Sequence, residues 1–194
     1  MTPKDKIMAF LDKHDFITLS EALKLGASKM ALSRMVQSGV LHKPAKQIYS
    51  KKMDWLTDPL RQYAPACALY PHAVVCGISA LNYYNLTDEY ERKIWLAFPR
   101  DHRVSNKEYR IVYPREESYS LGIVKHKVDR REVRIYDIEK TVVDTFKLLP
   151  IDVGHKVLRA YLKRKNRNMD KLSWYAKKMR KPLDDMITIL LSDE

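Results

Sequence analysis

Two cysteines in 194 residues, Cys67 and Cys76, are too few and lie in surroundings too apolar for the cross-linked framework of a small secreted domain. Buried free thiols are expected. No apolar run approaches the roughly 20 residues that cross a bilayer, and the leading MTPKDKIMAFLDKHDF lacks the core and cleavage site of a signal peptide. A cytoplasmic protein without a membrane partner is therefore expected. Internal repeats and low-complexity segments are also missing. A composition 45% hydrophobic and 31% charged is that of a globular chain, long enough for one domain or two small ones.

Several chemistries lack their residues. Cys67, His72 and Cys76 match no compact zinc spacing and have no fourth ligand. A nucleotidyltransferase centre needs carboxylates holding metal ions beside a Gly-Ser turn. Gly77-Ile78-Ser79 is a poor imitation of that turn, and Asp88, Glu89 and Glu91 follow at the wrong spacing. A restriction-type nuclease needs an Asp followed by Glu-x-Lys on a strand. Asp129 and Glu132-Val133-Arg134 come nearest, with arginine in the lysine's place. No catalytic residue, metal or cofactor is expected. The alternative is a nucleic-acid-processing enzyme with a centre among Asp129, Glu132 and Asp144, targeted by its N-terminal domain.

Acidic residues are in deficit, 24 against 36 Lys plus Arg, for a net charge of +12. That balance calls for a polyanionic partner, nucleic acid first. The excess is uneven. Met1 to Thr57 carries a net +5, Asp58 to Val153 only +1, Gly154 to Lys181 +10, and the last thirteen residues −4. Two basic surfaces, one towards each end, fit contact with a long polyanion at more than one place.

The most informative stretch is Phe16 to Ser50, FITLSEALKLGASKMALSRMVQSGVLHKPAKQIYS. Thr18 or Ser20 can cap a helix that Gly26 stops, and Ser28 can cap a second that Gly39 closes. In the second helix Leu32, Met35 and Val36 share an inward face, and Lys29, Ser33, Arg34 and Gln37 point the other way. Arginine can fork onto guanine and glutamine onto adenine, so this face suits a major groove. Val40-Leu41-His42 and Gln47-Ile48-Tyr49 read as two arms around a basic turn, Lys43-Pro44-Ala45-Lys46. Lysines at a hairpin tip are suited to phosphates. With a first helix from Pro3 to His14, the order is that of a winged helix-turn-helix over residues 1–56.

Residues 57–194 read as a mixed α/β domain. Thr57-Asp58-Pro59 is a helix start, and Leu60 to Leu69 is weakly helical and broken by Pro65. An apolar run Ala73–Cys76 precedes a glycine-led helix in which Leu81 and Tyr84 face inward. Extended segments follow at Ile94–Phe98, apolar enough for a central strand, at Tyr109–Tyr113, at the mixed and more exposed Ile123–Val128, and at Val133–Tyr136. Asp137 can cap a helix from Ile138 to Leu148, and three amphipathic helices complete the chain. The expected class is α+β, a small sheet with C-terminal helices. Lys156, Arg159, Lys163, Arg164, Lys165 and Arg167 are candidates for holding DNA or RNA phosphates. Tyr83-Tyr84 and Trp174-Tyr175 could stack on bases, although such aromatics are more often core or its rim.

The run SGVLHKPAKQIYS, then AVVCGISALNYYNLT, KIWLAFP and VRIYDIEKTVVDTF, resembles the AbiEi family, antitoxins of type IV abortive-infection toxin-antitoxin systems, over nearly the whole chain. The resemblance implies an antitoxin that represses its own operon by binding inverted repeats of double-stranded DNA in its promoter. It further implies a C-terminal domain that counteracts a nucleotidyltransferase-like toxin without forming a stable complex. On this chain the DNA-contacting role falls on Ser28, Lys29, Ser33, Arg34, Gln37, Lys43, Lys46 and Gln47.

Overall fold

The computed structural model describes residues 1–58, 60–128 and 130–192. The fold is α+β. The chain divides into two compact units, Met1–Pro71 with His126–Val133, and His72–Lys125 with Arg134–Glu194.

Unit 1 begins with α1 (Pro3–Leu11), which Thr2 and Asp5 start through a capping box: Thr2 Oγ1 accepts the Asp5 N–H at 3.2 Å, and Asp5 accepts the Thr2 N–H at 2.8 Å. The helix stops three residues short of the expected His14. After β1 (Ile17–Thr18), Thr18 and Glu21 repeat the box for α2 (Leu19–Lys24). Gly26, at φ +90°, turns the chain into α3 (Lys29–Gln37), where Ser28 Oγ accepts the Ala31 N–H at 3.1 Å. Ile7, Leu11, Ile17, Ala22, Leu32 and Met35 form one core.

The hairpin differs from its expected form. β2 (His42–Ala45) runs through Lys43, Pro44 and Ala45, the first three residues of the expected turn, and the turn before β3 (Ile48–Ser50) is Lys46-Gln47, with Gln47 at φ +64°. Strand order is β1-β3-β2, so β2 is an edge, and its register slips between His42 and Ala45. An edge strand with an irregularity accommodates Pro44, which cannot donate to a ladder. Val40 and Leu41 precede the strand, and buried Leu41 donates its N–H to the Met35 carbonyl at 3.0 Å.

The expected helix start at Thr57-Asp58-Pro59 falls partly on Pro59, outside the described residues. Asp58 Oδ1 accepts the Leu60 and Arg61 N–H groups at 2.9 Å each. Pro65 lies in the first turn of α4 (Ala64–Leu69), so it starts a helix instead of breaking one. α4 packs on β1, which carries unit 1 to Pro71, beyond the expected boundary at residue 56. Arg131 anchors residues 126–133 to the same unit. Its guanidinium meets both Glu21 carboxylate oxygens at 2.9 and 3.1 Å, donates to the Phe16 carbonyl at 3.2 Å and lies 4.3 Å from the Phe16 ring centroid.

Unit 2 carries β4 (Val74–Val75), α5 (Gly77–Tyr83), β5 (Ile94–Ala97), β6 (Tyr109–Val112) and a short α6 (Glu116–Tyr119) that no sequence pattern announces; β7 (Ile123–Val128) begins in it and β8 (Arg131–Tyr136) ends in it, their remaining residues being part of 126–133 in unit 1. The sheet order is β6-β5-β4-β8-β7. β5, the apolar run, is an inner strand, and the mixed β7 is an edge. β5 runs parallel to β6 and antiparallel to β4. Helices α7 (Ile138–Leu148), α8 (Ile151–Leu162), α9 (Met169–Lys178) and α10 (Asp184–Ser192) follow, and α7 packs against α5, α8 and α9. Gly154 permits the close approach of α8, since a Cβ there would stand 2.7 Å from the Phe146 ring. Among the described residues no helix is long and apolar enough to cross a membrane.

Candidate nucleic-acid interface

α3 buries Leu32 and Met35 and turns every candidate contact residue outward: Ser28, Lys29, Ser33, Arg34 and Gln37 are all exposed. Helical spacing puts Ser33, Arg34 and Gln37 on one strip, with Lys29 one turn before Ser33. Ser28 uses one lone pair to cap the helix, leaving its hydroxyl hydrogen to donate. Met30, 66% exposed, stands one turn before Arg34 on this strip and is not among the residues expected from the sequence. The available signal was a large apolar side chain on the polar face. Such a side chain can contact a thymine methyl.

Lys43, Lys46 and Gln47 are exposed as well, but not as one tip. Lys46 and Gln47 form the turn, and Lys43 stands on the β2 arm with exposed His42. The left-handed backbone at Gln47 is one that asparagine or glycine adopts more readily, and its carbonyl accepts the Leu19 N–H at 2.8 Å. This bond ties the turn to the start of α2.

In unit 2, Lys156, Arg159 and Lys163 are exposed on one face of α8 around a depression of about 340 Å³ shared with His155 and Ala160. Lys165 and Arg167 are exposed beyond the helix, and Arg167 donates to the Arg164 carbonyl at 3.1 Å. Arg164 is half-buried, and its guanidinium donates to the Tyr84 carbonyl at 3.0 Å. It joins α8 to the end of α5, so part of its donor fork is already used.

The aromatic pairs are mostly structural. Tyr84 Oη donates to the Tyr136 carbonyl at 3.0 Å, and Tyr175 Oη donates to Asp137 Oδ2 at 2.6 Å; burial pushes both phenols up. Trp174 alone of these is open, at 51% exposure. Gly77 and Ser79 have a packing explanation: a Cβ at Gly77 would lie 2.4 Å from the Trp95 ring, and Ser79 Oγ accepts the Trp95 N–H at 2.9 Å.

Of the three carboxylates considered for a nuclease, Asp129 lies outside the described residues, Glu132 is exposed on β8, and Asp144 is buried on α7. Lys140, fully buried one turn earlier, places its Nζ 2.5 Å from Asp144 and 4.2 Å from the Tyr136 ring centroid. Burial raises the Asp144 carboxyl above its ordinary range, with Lys140 opposing. Cys67 and Cys76 are buried and unbridged, and among the described residues no His, Cys, Asp or Glu group forms a metal-holding set.

No family model and no curated protein matches the chain.

Proposed function

We propose that unit 1 is a winged helix-turn-helix that binds double-stranded DNA, and that the protein is an antitoxin repressing its own operon. The observation that carries the DNA-binding part is the outward strip of α3, Met30, Ser33, Arg34 and Gln37, followed in the chain by a hairpin turn bearing Lys46 and Gln47. Groove-reading side chains on a helix and phosphate-contacting groups on the next hairpin are the two parts such a reader needs. The Lys156, Arg159 and Lys163 face of α8 adds phosphate contacts that carry no sequence preference. The antitoxin role, against a nucleotidyltransferase-like toxin without a stable complex, rests on the sequence resemblance to AbiEi proteins.

A gel-shift titration against the DNA upstream of the gene, with unrelated DNA as competitor and at two salt concentrations, tests the DNA reading. The expected result is a retarded band that survives competitor. Complete loss to competitor would reduce the protein to a general polyanion binder. The antitoxin reading is tested separately, by whether co-expression restores growth to cells producing the neighbouring toxin.

A further inference from the structure

Unit 2 holds a half-open cavity of about 430 Å³, within the range of small-molecule sites. Ala97, Val112, Leu148 and Met179 supply an apolar wall beside buried Cys76 and Tyr136. Arg100, Arg115, Lys147, Arg180 and Lys181 also line it. No ion pair among the described residues involves any of these five cations. The one carboxylate in the lining, Asp144, is already held by Lys140 at 2.5 Å. A concave surface with five basic side chains and an acid otherwise engaged is built for an anion.

The backbone brings these cations together from four places. Arg100 and Arg115 follow β5 and β6, neighbouring parallel strands, so both lie beyond the same end of that pair. Lys147 is in the last turn of α7, and Arg180 and Lys181 follow α9. The end of α9 is a Schellman turn, in which the Arg180 N–H donates to the Lys177 carbonyl at 3.0 Å and the Lys181 N–H to the Ala176 carbonyl at 2.8 Å. Arg180 holds φ +55° at the position where glycine is usual, so an unfavourable backbone conformation is kept with a guanidinium on it. Burial pushes the Lys147 amine down, and Lys140, Arg115 and Lys181 push it further against the pull of Asp144. The cations are crowded, and a bound anion relieves the crowding.

We propose that this cavity binds a phosphate-bearing small molecule of nucleotide size, with its phosphates on Arg115, Lys147 and Arg180 and its apolar body against Val112, Leu148 and Met179. None of the residues lining this site is among the DNA contacts proposed for unit 1.

The test is calorimetric titration of the full chain with ATP, pyrophosphate and adenosine. Saturable one-to-one binding of ATP is expected, with pyrophosphate weaker and adenosine weaker by at least about tenfold, the loss of several charge-assisted bonds. Arg180→Gly suits the left-handed backbone, so its fold and melting temperature should hold while ATP affinity drops about tenfold. Lys147→Ala should do the same, and Lys107→Ala, removing an exposed charge elsewhere in unit 2, should change nothing. Unsaturable ATP binding, equal binding of adenosine, or equal losses in Lys107→Ala and Arg180→Gly would overturn the proposal. So would an Arg180→Gly protein that loses duplex DNA and ATP to the same degree, because the cavity would then be a DNA phosphate contact.

Discussion

Lys140 and Asp144 show how far a single residue pair can depart from an amphipathic pattern. Both occupy positions that spacing on α7 leaves ambiguous, and both are buried, with Lys140 fully enclosed. Each makes the other tolerable, so removing one should cost far more than removing both. Lys140→Met should lower unfolding free energy by about 3–5 kcal/mol by stranding Asp144, and Lys140→Met with Asp144→Leu should recover most of that loss in urea titrations. Glu21 makes a pH-dependent contribution at the same scale. Burial opposes its ionisation, but bonds from Arg131 and Thr18 outweigh that and hold its carboxyl below the usual range. A carboxyl lowered in the folded state stabilises fully above the unfolded value and loses that stabilisation as pH falls through the folded one. Stability should therefore decline below about pH 4, and Arg131→Ala should flatten this decline while costing about 1–2 kcal/mol at neutral pH. An Arg131→Ala protein with an unaltered acid limb in thermal melts would disprove the assignment.

At the scale of elements, α3 and the hairpin after it separate two kinds of contact. Arg34→Ala should weaken binding to the upstream DNA by about 1–3 kcal/mol and relax preference at one base position. Lys46→Ala should weaken binding evenly across sequences. Selection from randomised duplexes distinguishes them, and two variants with unchanged preference and affinity would move the reading surface away from α3. The elements themselves were legible because their stop signals are local: Thr18 and Ser28 cap, and Gly26 and Gly39 terminate. The hairpin tip lies further along the chain than expected because Lys-Pro-Ala-Lys looks like a turn, whereas pairing of β2 with β3 keeps Pro44 in an edge strand. β1, two residues long, and α6, four residues long, are too short to leave a periodicity.

For the molecule as a whole, charge sets the expectation. A chain of net +12 binding DNA through several phosphates should show a steep salt dependence. Replacing Lys156, Arg159 and Lys163 together by alanine should reduce the slope of log affinity against log salt by about 2–3, near the value for three lost phosphate contacts. The measurement is a set of fluorescence-anisotropy titrations over a salt series. An unchanged slope would make the α8 face a solvated surface and confine the DNA contacts to unit 1. Arg164 is left out of this set because the Tyr84 carbonyl already holds it.

The sequence alone was enough for the α+β class, for the order of helices around Phe16 to Ser50, for the inner position of the apolar strand β5, and for the two buried thiols. Each follows from caps, glycines, alternation or apolar runs within a dozen residues. Tertiary structure decided where unit 1 ends, because α4 on β1 and Arg131 on Glu21 and Phe16 join segments far apart in the chain. It also decided that Arg164 is a tether, that Asp144 is a buried partner of Lys140, and that five scattered cations line one cavity. These outcomes depend on distances across the fold, which no local pattern of residues encodes.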